Sequence, residues 1–111
     1  MFDPTKFEQL RDLVDNDPAE LGSLVAEYES NSVTLIAQLN ESLKNQRVQD
    51  LSRAAHTLKS SSALMGASGL ASLCEQLEAI TRKGQIPPDA AERVAAIEQG
   101  FSGAMAWLKN Q

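Results

Sequence analysis

Leu51-Ser52-Arg53-Ala54-Ala55-His56-Thr57-Leu58-Lys59-Ser60-Ser61-Ser62-Ala63-Leu64-Met65 is the stretch that decides how the chain folds. Leu51, Ala55, Leu58, Ser62 and Met65 recur at steps of three and four, the stripe of an amphipathic helix. At roughly 100° per residue, His56 lies about 140° around the helix from Leu51, on its polar side. It is the single histidine of the chain. Ser52, Arg53, Lys59 and Ser60 flank it one turn away, and Ala63 follows at the second turn. The expected arrangement is a lone imidazole standing on a helix, among cations and residues small enough to admit an approaching group.

Outward from this helix, every other signal is also helical. Asp3-Pro4 and Asp17-Pro18 each read as an N-cap followed by proline at the first helical position. The first opens a short helix with Phe7, Leu10 and Val14 inward. The second opens a long one carrying Leu21, Leu24, Val25, Tyr28, Ser32, Leu35, Leu39 and Leu43 on its apolar stripe. Lys44-Asn45-Gln46-Arg47 is a polar break. The histidine helix should end near Gly66, a residue suited to a left-handed cap. Leu70, Leu73, Cys74, Leu77 and Ile80 mark the next helix, with Arg82 and Lys83 at its negative end. Gly84-Gln85-Ile86-Pro87-Pro88-Asp89 breaks the chain again, and a last helix runs from about Asp89 with Val94, Ile97, Phe101, Ala104, Met105 and Leu108 inward. The fold class is therefore all-α: an antiparallel up-down four-helix bundle with a short N-terminal capping helix, one domain over residues 1–111.

Composition narrows the function. The single Cys74 cannot form an internal disulfide and fits a reducing compartment. No apolar run approaches the ~18 residues that span a bilayer, and the first residues lack the features of a signal peptide, so a cytoplasmic protein with no membrane partner is expected. A net charge of −5 argues against nucleic acid. That charge is unevenly spread. Residues 1–43 hold two basic and nine acidic side chains, whereas residues 44–83 hold six basic and three acidic. The histidine thus lies in the basic part of an acidic chain, where a local field would suit an anionic group.

Several chemistries are disfavoured for His56. A metal site needs further ligands, and no second histidine or cysteine falls in register. Cys74 belongs to an apolar stripe and reads as core, so a Cys–His nucleophile pair is not expected. General acid–base catalysis needs a pocket that a solid bundle does not obviously provide. Phosphoryl acceptance does fit, because a neutral imidazole offers a free ring nitrogen and the transfer is mostly positioning and charge neutralisation. Lys59 shares the side of the helix and is placed to steady phosphoryl oxygens. No Gly-rich phosphate loop is present, so the phosphoryl group has to come from another protein.

The run Ala55-His56-Thr57-Leu58-Lys59-Ser60-Ser61-Ser62-Ala63, the turn at Gly66-Ala67, and Leu70, Leu73-Cys74-Glu75-Gln76-Leu77-Glu78 resemble the histidine-containing phosphotransfer (HPt) domain family. The detailed resemblance covers about residues 51–83. It implies a phosphorelay intermediate of a two-component system. A receiver aspartate would pass its phosphoryl group to His56 Nε2, and a second receiver would take it on. It also implies that Lys59 is the phosphate-side lysine, and that Glu78 stands where some members place a glutamine that hydrogen-bonds the ring. Glutamate there would accept from Nδ1–H and leave Nε2 as the nucleophile. Ser60 replaces the glycine usual after the lysine. The expected partners are the receiver domain of a response regulator and that of a hybrid sensor histidine kinase. By the same resemblance no cofactor or metal is expected on the chain itself, Mg2+ being supplied by the partner receiver. Leu64 also faces outward and, with Ser52, Arg53, Ser60, Ala63, Arg82 and Lys83, forms the expected docking surface. A monomer is expected, since no exposed heptad seam demands a second copy. The rival reading is an HPt-like adaptor that docks a kinase or regulator without carrying phosphate; retention of both His56 and Lys59 counts against it.

Overall fold

Each of the first two helices starts where aspartate precedes proline. In the computed structural model, which describes all 111 residues, α1 spans Pro4–Leu13 and α2 spans Pro18–Lys44. Asp3 Oδ1 accepts from the backbone N–H of Thr5 at 3.0 Å, and Asp17 Oδ1 from that of Ala19 at 2.9 Å. Both carboxylates satisfy donors that a helix start leaves unpaired. Three further helices follow: α3 (Val48–Leu64), α4 (Ser68–Thr81) and α5 (Ala90–Lys109). No strand is present. Short connections at 45–47 and 65–67 reverse the chain between packed neighbours, which gives the antiparallel bundle expected from the sequence.

The bundle has two tiers because its helices differ in length. At 27 residues, α2 runs roughly 40 Å, nearly the full 43 Å of the molecule, while α3 and α4 have 17 and 14 residues. Where all four long helices overlap, Leu39, Leu51, Ala55, Leu58, Leu70, Cys74, Leu77, Val94 and Ile97 belong to one buried cluster. Each fully buried Leu or Ile there contributes about 1.5–3 kcal/mol of burial, so the α3–α4 pair is held firmly. Beyond the end of α3, the short α1 takes over the covering role. Phe7 packs with Tyr28, Met65, Met105 and Leu108 in a second cluster. Trp107 is sandwiched there, stacked on Phe2 with centroids 4.8 Å apart and edge-on to Phe7 at 5.6 Å.

The two tiers meet at a buried polar contact, Tyr28 Oη to Ser62 Oγ at 2.7 Å. Ser62 sits on the apolar stripe of α3 and is fully buried, so this bond explains how a serine is accommodated there. Ser32 Oγ, also buried, lies beside the Tyr28 hydroxyl but forms no well-aligned hydrogen bond. Gly66, in the turn after α3, has φ +84°, the left-handed conformation expected of it. Its carbonyl accepts from Asp3 N–H at 2.7 Å, and Gly69 N–H donates to Met1 O at 2.9 Å, so the N-terminal segment is latched onto the α3–α4 turn.

One helix face differs from the sequence reading. On α4 the buried residues are Leu70, Cys74, Leu77, Glu78 and Thr81, whereas Leu73 and Ile80 are only half-buried. The inward face is turned towards α3, carrying a carboxylate and a hydroxyl where periodicity alone would place leucine and isoleucine.

Candidate functional site

His56 projects from the outer side of α3, between Ala55, which is fully buried, and the solvent. Its side chain is 57% exposed, yet one ring nitrogen is committed. Nδ1 lies 2.7 Å from Oε2 of Glu78, across the groove on α4. An ionised carboxylate only accepts, so in the neutral ring Nδ1 carries the proton and Nε2 the free lone pair. The tautomer that presents Nε2 to solvent is thereby selected.

Glu78 can serve because of where α4 puts it. It lies one turn beyond Cys74 on the buried face and is only 7% exposed at the side chain. Burial alone would raise its carboxyl. Hydrogen bonds from Lys59 and His56 outweigh that and hold it below its ordinary value. Oε1 accepts from Lys59 Nζ at 2.6 Å while Oε2 accepts from the imidazole. The two oxygens are thus divided between the two residues of α3, and a buried charge is compensated. Arg82 approaches more loosely, Nη1 standing 3.9 Å from Oε2.

Lys59 meets a second carboxylate, Glu75 Oε2, at 2.8 Å. The hydrogen bonds it donates to Glu75 and then Glu78 push the ammonium above its ordinary value, so it remains charged. Glu75 was not among the residues singled out from the sequence. Its place three residues before Glu78 was the available signal, but nothing local says that this side of α4 meets α3. Other cations near the ring are paired in the same way. Lys59 is shared by two glutamates, and Arg53 and Arg47 lie 3.4 and 3.9 Å from Asp50.

The face around the histidine is also less flat than a solid bundle suggests. A shallow hollow of about 430 Å³ opens beside the ring, its lining including Ser52, Arg53, His56, Glu78, Thr81 and Arg82. Ser52, Arg53 and Arg82 are therefore gathered around the imidazole. Ser60 and Ala63 lie outside the hollow, exposed on the outer side of α3. Leu64 is 67% exposed at the end of that helix. Lys83 lies past the last residue of α4 and makes no ion pair.

Cys74 is fully buried in the core, with its thiol pushed up to about 12, chiefly by burial. It stays protonated inside the core. No group of three or more His, Cys, Asp or Glu side chains is disposed to hold a metal ion. No helix is long and apolar enough to cross a membrane.

Comparison with known proteins bears on what this arrangement is for. The sequence model of the Hpt domain matches residues 23–107, which include α3 and α4 whole. Multistep phosphorelay regulator 1 of Schizosaccharomyces pombe is 33% identical over 79 residues, 70% of this chain and 27% of that protein. The chain thus spans about a quarter of the length of that curated relative. Among solved structures, histidine-containing phosphotransfer protein B of Pseudomonas aeruginosa superposes with a TM-score of 0.89 at 25% identity, covering 98% of this chain and 91% of that one.

Proposed function

The chain belongs to the Hpt domain family, and from that premise we propose that it is a phosphorelay intermediate in which His56 accepts a phosphoryl group from a receiver-domain aspartate and passes it to a second receiver. Phosphotransfer in signalling is the general role of the family, and a domain of this kind is a carrier whose partners are receiver domains or kinases. The observation that carries the finer reading is the His56–Glu78 hydrogen bond, which in the neutral ring puts the proton on Nδ1 and leaves the lone pair on Nε2.

In the transfer, the Nε2 lone pair attacks phosphorus and the bond to the aspartyl oxygen breaks, its electron pair returning to the receiver carboxylate. No proton has to leave the ring. Positive charge builds on the imidazole as the N–P bond forms, and the Glu78 carboxylate on Nδ1 offsets it. Lys59 stands beside the same carboxylate, and on this reading its ammonium steadies the negative charge developing on the phosphoryl oxygens. Mg2+ and the acidic pocket that holds it come with the receiver. Ser52, Arg53 and Arg82 around the ring, with Ser60, Ala63 and Leu64 along α3, are the surface on which that receiver docks; Lys83 lies at its margin. The carrier acts as a monomer in the cytoplasm.

The test is transfer itself. A receiver domain charged by a small phosphodonor is mixed with the chain, and label is followed between the two proteins. Acid-labile, alkali-stable label on the wild type and none on His56→Gln is expected. Label that persists in His56→Gln, or no label from any cognate receiver, would overturn the proposal.

A further inference from the structure

Lys59 sits between two carboxylates of α4 that hold it in different ways. Glu78 is buried, and its second oxygen is engaged by His56, so it has little freedom to release the lysine. Glu75 is 53% exposed, and Lys59 is its one ion-pair partner. Water can replace an exposed partner of that kind at small cost. A phosphoryl group arriving on Nε2 would bring further negative charge towards an ammonium that is already doubly engaged.

We infer that Glu75 is a positioning residue, occupying Lys59 while the histidine is free and yielding it to the phosphoryl oxygens once Nε2 is phosphorylated, with Lys59 pivoting on Glu78. This rests on the phosphocarrier reading above. The only covalent change is the N–P bond of that transfer. The rest is an exchange of ion-pair partners in which the Glu75 carboxylate goes to water.

Because Glu75 and the phosphoryl group compete for one cation, Glu75 weakens the hold on phosphate. It shifts the equilibrium between aspartyl phosphate on the receiver and phosphohistidine here towards the receiver. The carrier thus keeps its cargo exchangeable in both directions. Glu75→Gln removes the competing charge while keeping the side chain's shape.

The experiment brings wild-type chain, Glu75→Gln, Lys59→Ala and the double variant each to equilibrium with a phosphorylated receiver, and measures label on both proteins by phosphate-affinity gel. Glu75→Gln is expected to shift the equilibrium constant about two- to five-fold towards phosphohistidine, the range of an exposed charge pair, and the shift should fade in high salt. In the Lys59→Ala background the same substitution should change nothing, because the residue competed for is gone. A role in folding alone would move the urea midpoint and leave the equilibrium constant unchanged. Equal constants for wild type and Glu75→Gln, or a shift that survives in Lys59→Ala, overturn the inference and leave the carrier reading standing. A wild-type chain that takes no label at all sinks both.

Discussion

Gly66 and Gly84 share almost the same backbone conformation, φ +84° and +83°, in very different surroundings. A Cβ on Gly66 would lie 2.6 Å from the backbone oxygen of Asp3 and 3.5 Å from the Trp107 ring; a Cβ on Gly84 would meet nothing within 4 Å. Alanine at either site incurs the left-handed penalty, about 1 kcal/mol. At Gly66 the clash is with main chain, so the N-terminal segment must move. The Asp3-to-Gly66 and Gly69-to-Met1 hydrogen bonds then go with it, at about 1 kcal/mol each. Gly66→Ala is therefore expected to cost about 3 kcal/mol and Gly84→Ala about 1 kcal/mol. For a domain of this size that is a fall in Tm of about 12 °C against about 4 °C. Urea titrations and thermal melts followed by helical circular dichroism measure both. Equal losses would show that the latch between the N-terminus and the α3–α4 turn holds nothing, and the account of α1 as a structural cap would fall with it.

Three other expectations concern buried polar groups. Glu78 has its carboxyl depressed in the fold, so its ionised form favours the folded state above the ordinary value of 4.5, and that contribution is lost as pH falls through the lower folded value. The stability gap between wild type and Glu78→Gln should shrink below about pH 4.5; urea midpoints at pH 7 and pH 3 that show a constant gap would contradict the assignment. Tyr28→Phe strands the buried Ser62 hydroxyl and should cost about 1–2 kcal/mol, whereas Ser32→Ala removes an unpartnered oxygen and should be neutral or stabilising; chemical denaturation of both variants decides it, and a large loss in Ser32→Ala would mean that its hydroxyl is in fact bonded.

Most of the architecture was legible in the sequence because its signals are local. Asp3-Pro4 and Asp17-Pro18 cap the helices they announce, and Gly66 takes the left-handed turn expected of it. The stripe through Leu51, Ala55, Leu58 and Ser62 is the one that is buried. What periodicity missed was the rotation of α4. A carboxylate is assigned to the outside by default, and Glu78 is inside only because Lys59 and His56, on another helix, compensate it. Its nearness to the ring came from the family resemblance, not from spacing. Glu75 and the hollow beside His56 escaped for the same reason: each depends on how two helices face each other, which neither helix encodes alone.

The site also has a place in the order of assembly. His56 and Glu78 are 22 residues apart, Lys59 and Glu78 19, with a three-residue turn between their helices. Short loops close with little entropic cost, and local contacts form early. The Asp3–Gly66 latch, by contrast, closes a loop of more than half the chain. The α3–α4 hairpin is therefore expected to organise first and the N-terminal helix to dock last and fray first, so that weakening the latch speeds unfolding while leaving the hairpin's own formation nearly unchanged.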